Sequence, residues 1–240
     1  MRRTILVLLI TLSCALPLLA QAKTDTKQPR CTLPLERAPE LRGLRLGTPQ
    51  ASVLLRFPGT SLGKPDKFGI TQIQFTVIDT SEFSKGPASR DKGVQPDMTV
   101  GPGEDTAFIV DSVKFPALKG VRRVRVRFVD GRLAYAQVAY DDSIKWSSID
   151  EFVETVTTTL KLPSDWARPA DSEGSSNAKE LRCEGFLLTA DVGSDSLDTR
   201  IAAQLSVEDL VVSKLVEKRQ NDLKDKAKSD EDAKRKNFKP

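Results

Sequence analysis

The chain has 240 residues, with 37 Lys and Arg against 33 Asp and Glu, a net charge of +4, three cysteines and no histidine. The missing histidine excludes Ser-His-Asp and Cys-His catalysis, His-ligated zinc and the usual near-neutral general base. The positive charge sits at the ends: residues 1–22 carry +2 and residues 213–240 carry +4, which leaves −2 on residues 23–212 and no basic body for nucleic acid to bind.

Arg2 and Arg3 precede an apolar run from Ile5 to Leu12, and Ala20-Gln21-Ala22 is a small-x-small cleavage signal. This is the pattern of a secretory signal peptide, cleaved near Ala22, and it predicts a periplasmic or secreted protein. The run is short and is broken by Pro17, and no other stretch is apolar enough to cross a bilayer, so no transmembrane segment is expected after cleavage. Cys14 falls inside the signal. Its removal leaves Cys31 and Cys183, and an even count in an exported chain predicts a disulfide between them. Two buried thiols or an intermolecular bridge are the alternatives.

The first organised stretch runs from Leu44 to Gly59. Gly47 permits a turn, Thr48 can cap a helix with its hydroxyl, and Pro49 suits the first helical position. Val53, Leu54 and Phe57 share one side of a short Pro49–Arg56 helix that Pro58 and Gly59 end. A helix this short needs a sheet to pack on.

Ile73, Phe75 and Val77 alternate with Gln72, Gln74 and Thr76, a strand with one buried face. Residues 79–106 are rich in Gly, Pro, Ser and charge, and are expected to form a mobile insertion. Ala107–Val110 is a short strand. Val121–Tyr140 is a hairpin about Asp130-Gly131: Val124, Val126 and Phe128 alternate with Arg123, Arg125 and Arg127. Its register is open. A two-residue turn puts Leu133 and Tyr135 on the face of Val126 and Phe128. A three-residue turn with a bulge puts Ala134, Ala136 and Val138 there.

Ser148 and Glu151 form a capping box, and Ile149, Phe152, Val153, Val156 and Leu160 recur at helical spacing until Pro163. Asp171–Ala178 is a polar loop, Leu181–Val192 a strand carrying Cys183, and Arg200–Leu205 a last strand. A helix is expected from Ser206, apolar on one side to Val216 and then charged to Pro240. The domain organisation is therefore a signal peptide (1–22), one domain (23–205) and a C-terminal helix with a charged tail (206–240). The fold class is α+β: an antiparallel sheet with helices packed on one face, plus the charged C-terminal helix.

With Gly47, Val53, Phe57, Pro58 and Gly59 in place, the Leu44–Gly59 stretch resembles the opening of small bacterial envelope modules, the SmpA/OmlA assembly lipoproteins and the β-lactamase-inhibitor-like fold. Thr48 and Pro49 stand where that pattern has Met and Ser/Thr. Arg42-Gly43 to Gly47, Phe128 to Leu133 and Leu162 to Trp166 also resemble uncharacterised exported bacterial proteins. The resemblance implies a short helix on an antiparallel sheet, an envelope location and protein partners, and it assigns no site residue.

No residue set specifies a catalytic centre, a metal or a cofactor. Ser61 and Lys64 match Ser-x-x-Lys by spacing, in a loop without the companion motifs. Carboxylates cluster at Asp141-Asp142, Asp150-Glu151 and Asp191, Asp195, Asp198; a paired-acid hydrolase would need two of them facing one cleft. Arg123, Arg125 and Arg127 project on one sheet face near Arg132, a surface for an acidic partner or a sugar acid, although a charged face also serves solubility. Trp146 and Trp166 flank the Ile149–Leu160 helix as candidate cleft residues. The expected function is a non-enzymatic interaction module that binds an envelope or secreted protein. The alternatives are a paired-carboxylate hydrolase and a protein that oligomerises or tethers through its tail.

Overall fold

The computed structural model describes residues 31–79, 94–96, 106–141, 143, 145–169, 177–194 and 201–236. The expected signal peptide (1–22), most of the expected 79–106 insertion and most of the expected polar loop at 171–178 lie outside these. The structure is α+β. Among the described residues, eight strands form one sheet: β1 (Ile70–Ile78), β2 (Val94–Pro96), β3 (Thr106–Asp111), β4 (Val121–Val129), β5 (Arg132–Tyr140), β6 (Ala178–Arg182), β7 (Phe186–Ser194) and β8 (Ile201–Asp209). Their spatial order is β2-β3-β1-β4-β5-β8-β7-β6. Every pair is antiparallel except β1 with β3. That parallel pair departs from the all-antiparallel expectation, and its cause is the crossover: the chain leaves β1, passes through the 79–105 segment and returns in the same direction.

Period-two alternation gives the sheet one apolar and one polar face. Ile73, Phe75, Val124, Val126, Phe128, Ala136, Val138, Leu188 and Val207 are buried on the apolar side. Helices α1 (Gln50–Leu54) and α2 (Ile149–Leu160) pack there, through Val53 and through Phe152, Val153 and Val156. The N-terminal segment joins them, burying Ala38, Leu41, Leu44 and Leu46. Phe57 stacks on Phe75 with ring centroids 4.5 Å apart. Cys31 and Cys183 are joined by a disulfide that pins this segment to the end of β6 across a separation of 152 residues.

The hairpin contains both proposed registers. Asp130 and Gly131, with φ of 49° and 75°, form a two-residue turn closed by Val129 and Arg132, and Phe128 faces Leu133. A shift between Arg127 and Phe128 leaves Ala134 as a bulge, so Ala136 and Val138 face Val126 and Val124, and Tyr135 joins the arginine face.

Four local expectations are corrected. Thr48 caps nothing: Pro49 is the N-cap of α1 without a side-chain bond, because Thr48 lies in a bridging segment where its carbonyl accepts from Leu133 N (2.9 Å). The helix is also shorter than the expected Pro49–Arg56, since a tight turn takes over at Leu55 and carries the chain to Phe57. The expected Leu181–Val192 strand is two strands, broken at Cys183-Glu184-Gly185, where Cys183 N donates to Phe186 O (2.9 Å). The helix placed at Ser206 begins at Leu210, because Leu205 and Val207 point inward with Gln204, Ser206 and Glu208 outward, and the alternation runs to Asp209. Asp209 is the true cap, its Oδ1 accepting from Val211 N (2.9 Å) and Val212 N (3.0 Å).

The capping box at α2 holds in modified form. Ser148 Oγ accepts from Glu151 N (3.2 Å), but the Glu151 carboxylate reaches one residue further back, to Ser147 N (2.8 Å) and Ser147 Oγ (2.5 Å). These donors hold the Glu151 carboxyl below its ordinary value. Helix α3 (Leu210–Lys236) starts on the polar side, where Val212, Ser213 and Val216 lie over Val129 and Ala134. From Asn221 to Lys236 every residue is exposed. Among the described residues, no helix is long and apolar enough to cross a membrane.

Candidate functional site

The sheet separates the sequence-predicted site residues. Arg123, Arg125 and Arg127 occupy successive outward positions of β4 and are all half-buried. Arg125 NH2 donates to Gln74 Oε1 (3.0 Å), and its Nε, buried, meets no partner among the described residues. Arg127 NH2 pairs with Glu208 Oε1 (2.8 Å) and its guanidinium lies 5.0 Å from the Tyr135 ring centroid. Burial pushes the Tyr135 phenol up, against the pull of its Ser206 hydrogen bond and of the Arg125 and Arg127 charges. Around them the face continues as a hydrogen-bonded lattice: Gln137 donates to Gln204 (3.0 Å) and Gln204 to Asp191 (3.0 Å). The opening turns of α3 cover this face at its Arg127 end, where Ser213 Oγ donates to Glu208 Oε1 (2.6 Å).

Arg132 is not part of this row. It stands at the hairpin turn, and its NH1 donates to Gly47 O (3.1 Å). Trp166 packs partly buried against the core beside β6, where Ala167 pairs with Glu180, and its indole N–H finds no acceptor among the described residues. Trp146 lines a cleft.

That cleft lies on the apolar side, between α2, the N-terminal turn and the ends of β4 and β5, with a volume of about 570 Å³. Volumes of 300–1,000 Å³ are usual for ligand pockets. Tyr140, Trp146, Phe152, Val156, Leu160 and Leu205 supply its apolar surface. The Trp146 and Phe152 rings are 5.0 Å apart and the Tyr140 and Phe152 rings 6.1 Å. The rim carries Glu40 and Arg42 from the N-terminal turn and Lys119 and Asp141 from the strand ends, while α2 contributes only neutral side chains, including Thr155 and Thr159. Arg42 sits 5.5 Å from the Tyr140 ring centroid. Burial raises the Tyr140 phenol, offset in part by the charge and hydrogen bond of Arg42. Arg42 is held there by a two-residue turn: Arg42 and Gly43 have φ of 52° and 86°, and Leu41 and Leu44 exchange hydrogen bonds of 3.0 and 2.9 Å. Sequence reasoning missed Glu40, Arg42, Lys119 and Tyr140. The Arg42-Gly43 pair between two leucines was the available signal for the turn.

Among the named carboxylates, Asp141 lines the cleft and accepts from Ser143 N (3.1 Å). Asp150 pairs with Lys179, Glu151 serves the α2 cap, and Asp191 belongs to the polar face. Asp142, Asp195 and Asp198 lie outside the described residues. Ser61 and Lys64 remain in an irregular segment. Among the described residues no group of three or more Cys, Asp or Glu is placed to hold a metal ion. No protein-family model matches the chain, and neither a curated protein nor a solved structure matches it.

Proposed function

We propose that the chain is an exported, non-enzymatic interaction module of the cell envelope, contacting a secreted or envelope protein through the polar face of its sheet. One observation carries this reading: Arg123, Arg125 and Arg127 stand in a row, half-buried, on the face opposite α1 and α2. Arg127 is already paired with Glu208, whereas the hydrogen bond of Arg125 goes to a neutral amide, so its positive charge is available to an acidic partner. The residues around it are fixed by cross-strand hydrogen bonds, which lowers the entropy lost when a partner docks. The signal-like pattern of residues 1–22 and the Cys31–Cys183 disulfide support a contact outside the cytoplasm.

The test is photo-crosslinking in intact cells. A crosslinking residue at Gln137, beside Arg125, is expected to capture a secreted or envelope protein, and Arg125→Glu in the same chain to abolish the capture. A crosslinker at Leu55, 81% exposed on the far side, is the control. Capture that is absent at Gln137, equal at Leu55 or indifferent to Arg125→Glu would count against the proposal.

A further inference from the structure

The cleft beside α2 belongs to the other side of the sheet and owes nothing to the arginine row. We propose that it binds a short peptide-like zwitterion: a large apolar side chain flanked by an ammonium and a carboxylate. The apolar part has its place between Tyr140, Trp146 and Phe152, whose rings already contact one another and leave the cleft open above them. Aromatic walls of this kind favour a flat or branched apolar body.

The charges then select the ligand. Arg42 and Lys119 would suit an anionic head, but Glu40 and Asp141 line the same rim, Glu40 from the turn that carries Arg42 and Asp141 from the end of β5, where its N–H donates to Gly120 O (3.0 Å) beside Lys119. A simple anionic amphiphile such as a fatty acid would bring its carboxylate beside two others, and a simple cation would meet Arg42 and Lys119; each carries an electrostatic penalty. A zwitterion meets both pairs with opposite charge. The α2 wall bears no charge, so the ligand's polar groups are directed to the side of the N-terminal turn and the strand ends. Arg42 is preset for this role, because the turn and the Tyr140 ring fix it before any ligand arrives.

The test uses the full mature chain, isotopically labelled, and defined probes. The dipeptide Leu-Phe is compared with N-acetyl-Leu-Phe, with Leu-Phe-amide, with Ala-Ala and with laurate. The indole N–H resonance of Trp146 reports on the cleft, and that of Trp166 is the internal control. Leu-Phe is expected to shift Trp146 and the α2 amides saturably and to leave Trp166 unmoved. Each capped dipeptide should bind at least 10-fold more weakly, Ala-Ala should not bind, and Thr159→Trp, an exposed position that fills the cleft, should abolish the shift. Lys119→Ala, also exposed, should weaken Leu-Phe while sparing Leu-Phe-amide. The inference is overturned if no probe produces a saturable shift, if laurate or N-acetyl-Leu-Phe binds as well as the zwitterion, or if binding survives Thr159→Trp. None of these results bears on the arginine face, whose test uses other residues.

Discussion

Gly185 is a residue whose side chain would have nowhere to go. It follows Cys183 in the turn between β6 and β7, and a Cβ built on it would lie 2.8 Å from Leu35 Cβ and 3.1 Å from Leu35 N. Its carbonyl also accepts from Leu210 N at the start of α3 (3.0 Å). Because one of the crowding atoms is backbone, the neighbour cannot yield by rotating a side chain. Gly185→Ala is therefore expected to destabilise the fold by about 1–3 kcal/mol, the usual cost of overpacking. A urea midpoint unchanged from the parent would refute the steric account. Nothing in the sequence marks this glycine, since the crowding comes from a segment 150 residues away. Gly47 and Gly131, by contrast, were legible as turn residues because their neighbours, Pro49 and Asp130, carry turn chemistry of their own. The same limit explains Thr48. A hydroxyl before a helix favours capping in isolation, but here the backbone bridge to Leu133 decides its position.

Among the elements, α3 is tied to the body by side chains of opposite charge. Arg219 NH1 donates to Phe68 O (2.8 Å) and Asp130 Oδ1 (3.0 Å), and its NH2 to Asp130 Oδ2 (2.7 Å). The guanidinium holds the Asp130 carboxyl below its ordinary value of 3.8. A depressed folded-state pKa gives a contribution that is complete above the unfolded value and is lost as pH falls through the folded one. The latch thus operates at neutral pH and releases below the ordinary carboxylate range. Asp130→Asn removes the charge but retains a turn residue suited to positive φ beside Gly131. Amides of α3 near Arg219 are expected to have lower protection factors in this variant at pH 7, and to lose the acid-induced fall in protection of the parent. Exchange that is the same in both chains would show that the latch does not hold the helix. Periodicity revealed α2, β1 and the hairpin because each repeats its pattern over many residues. It misplaced the start of α3, since Ser206-Val207-Glu208-Asp209 fits a helix start and a strand end equally well, and only pairing with β5 and β7 selects the strand.

At the scale of the whole molecule, alternation in β1, β4 and β5 and the stripe of α2 were enough to imply an α+β sheet covered on one face. The order of the strands, the parallel β1–β3 pair and the charged rim of the α2 cleft were not legible, because each depends on contacts between segments distant in sequence; Trp146 was the one cleft residue the sequence offered. The cleft alone gathers Glu40 and Arg42, Lys119, Tyr140, residues of α2 and Leu205. The Cys31–Cys183 bond is the long-range link that cysteine parity did foretell, and its energetic role can be separated from its structural one. Both cysteines are buried at 4% exposure, so Ala at each position removes the bond without adding an unpaired hydroxyl. The bond closes a separation of 152 residues, and restricting so long a loop acts mainly on the unfolded chain, with a typical contribution of about 2–5 kcal/mol. The double Cys→Ala variant is accordingly expected to unfold at a lower urea midpoint with a steeper denaturant dependence, because its unfolded state is less compact. Reducing the parent should reproduce that midpoint. Hydrogen exchange in β4 and β5 under native conditions should change little, while amides of residues 32–46 report whether the N-terminal segment stays seated. Seating would place the effect in the unfolded chain, as argued. Loss of protection there would instead mean that the bond, more than Leu41 and Leu44, keeps the rim of the cleft in place, and that Arg42 and Glu40 reach their positions only in the oxidised protein.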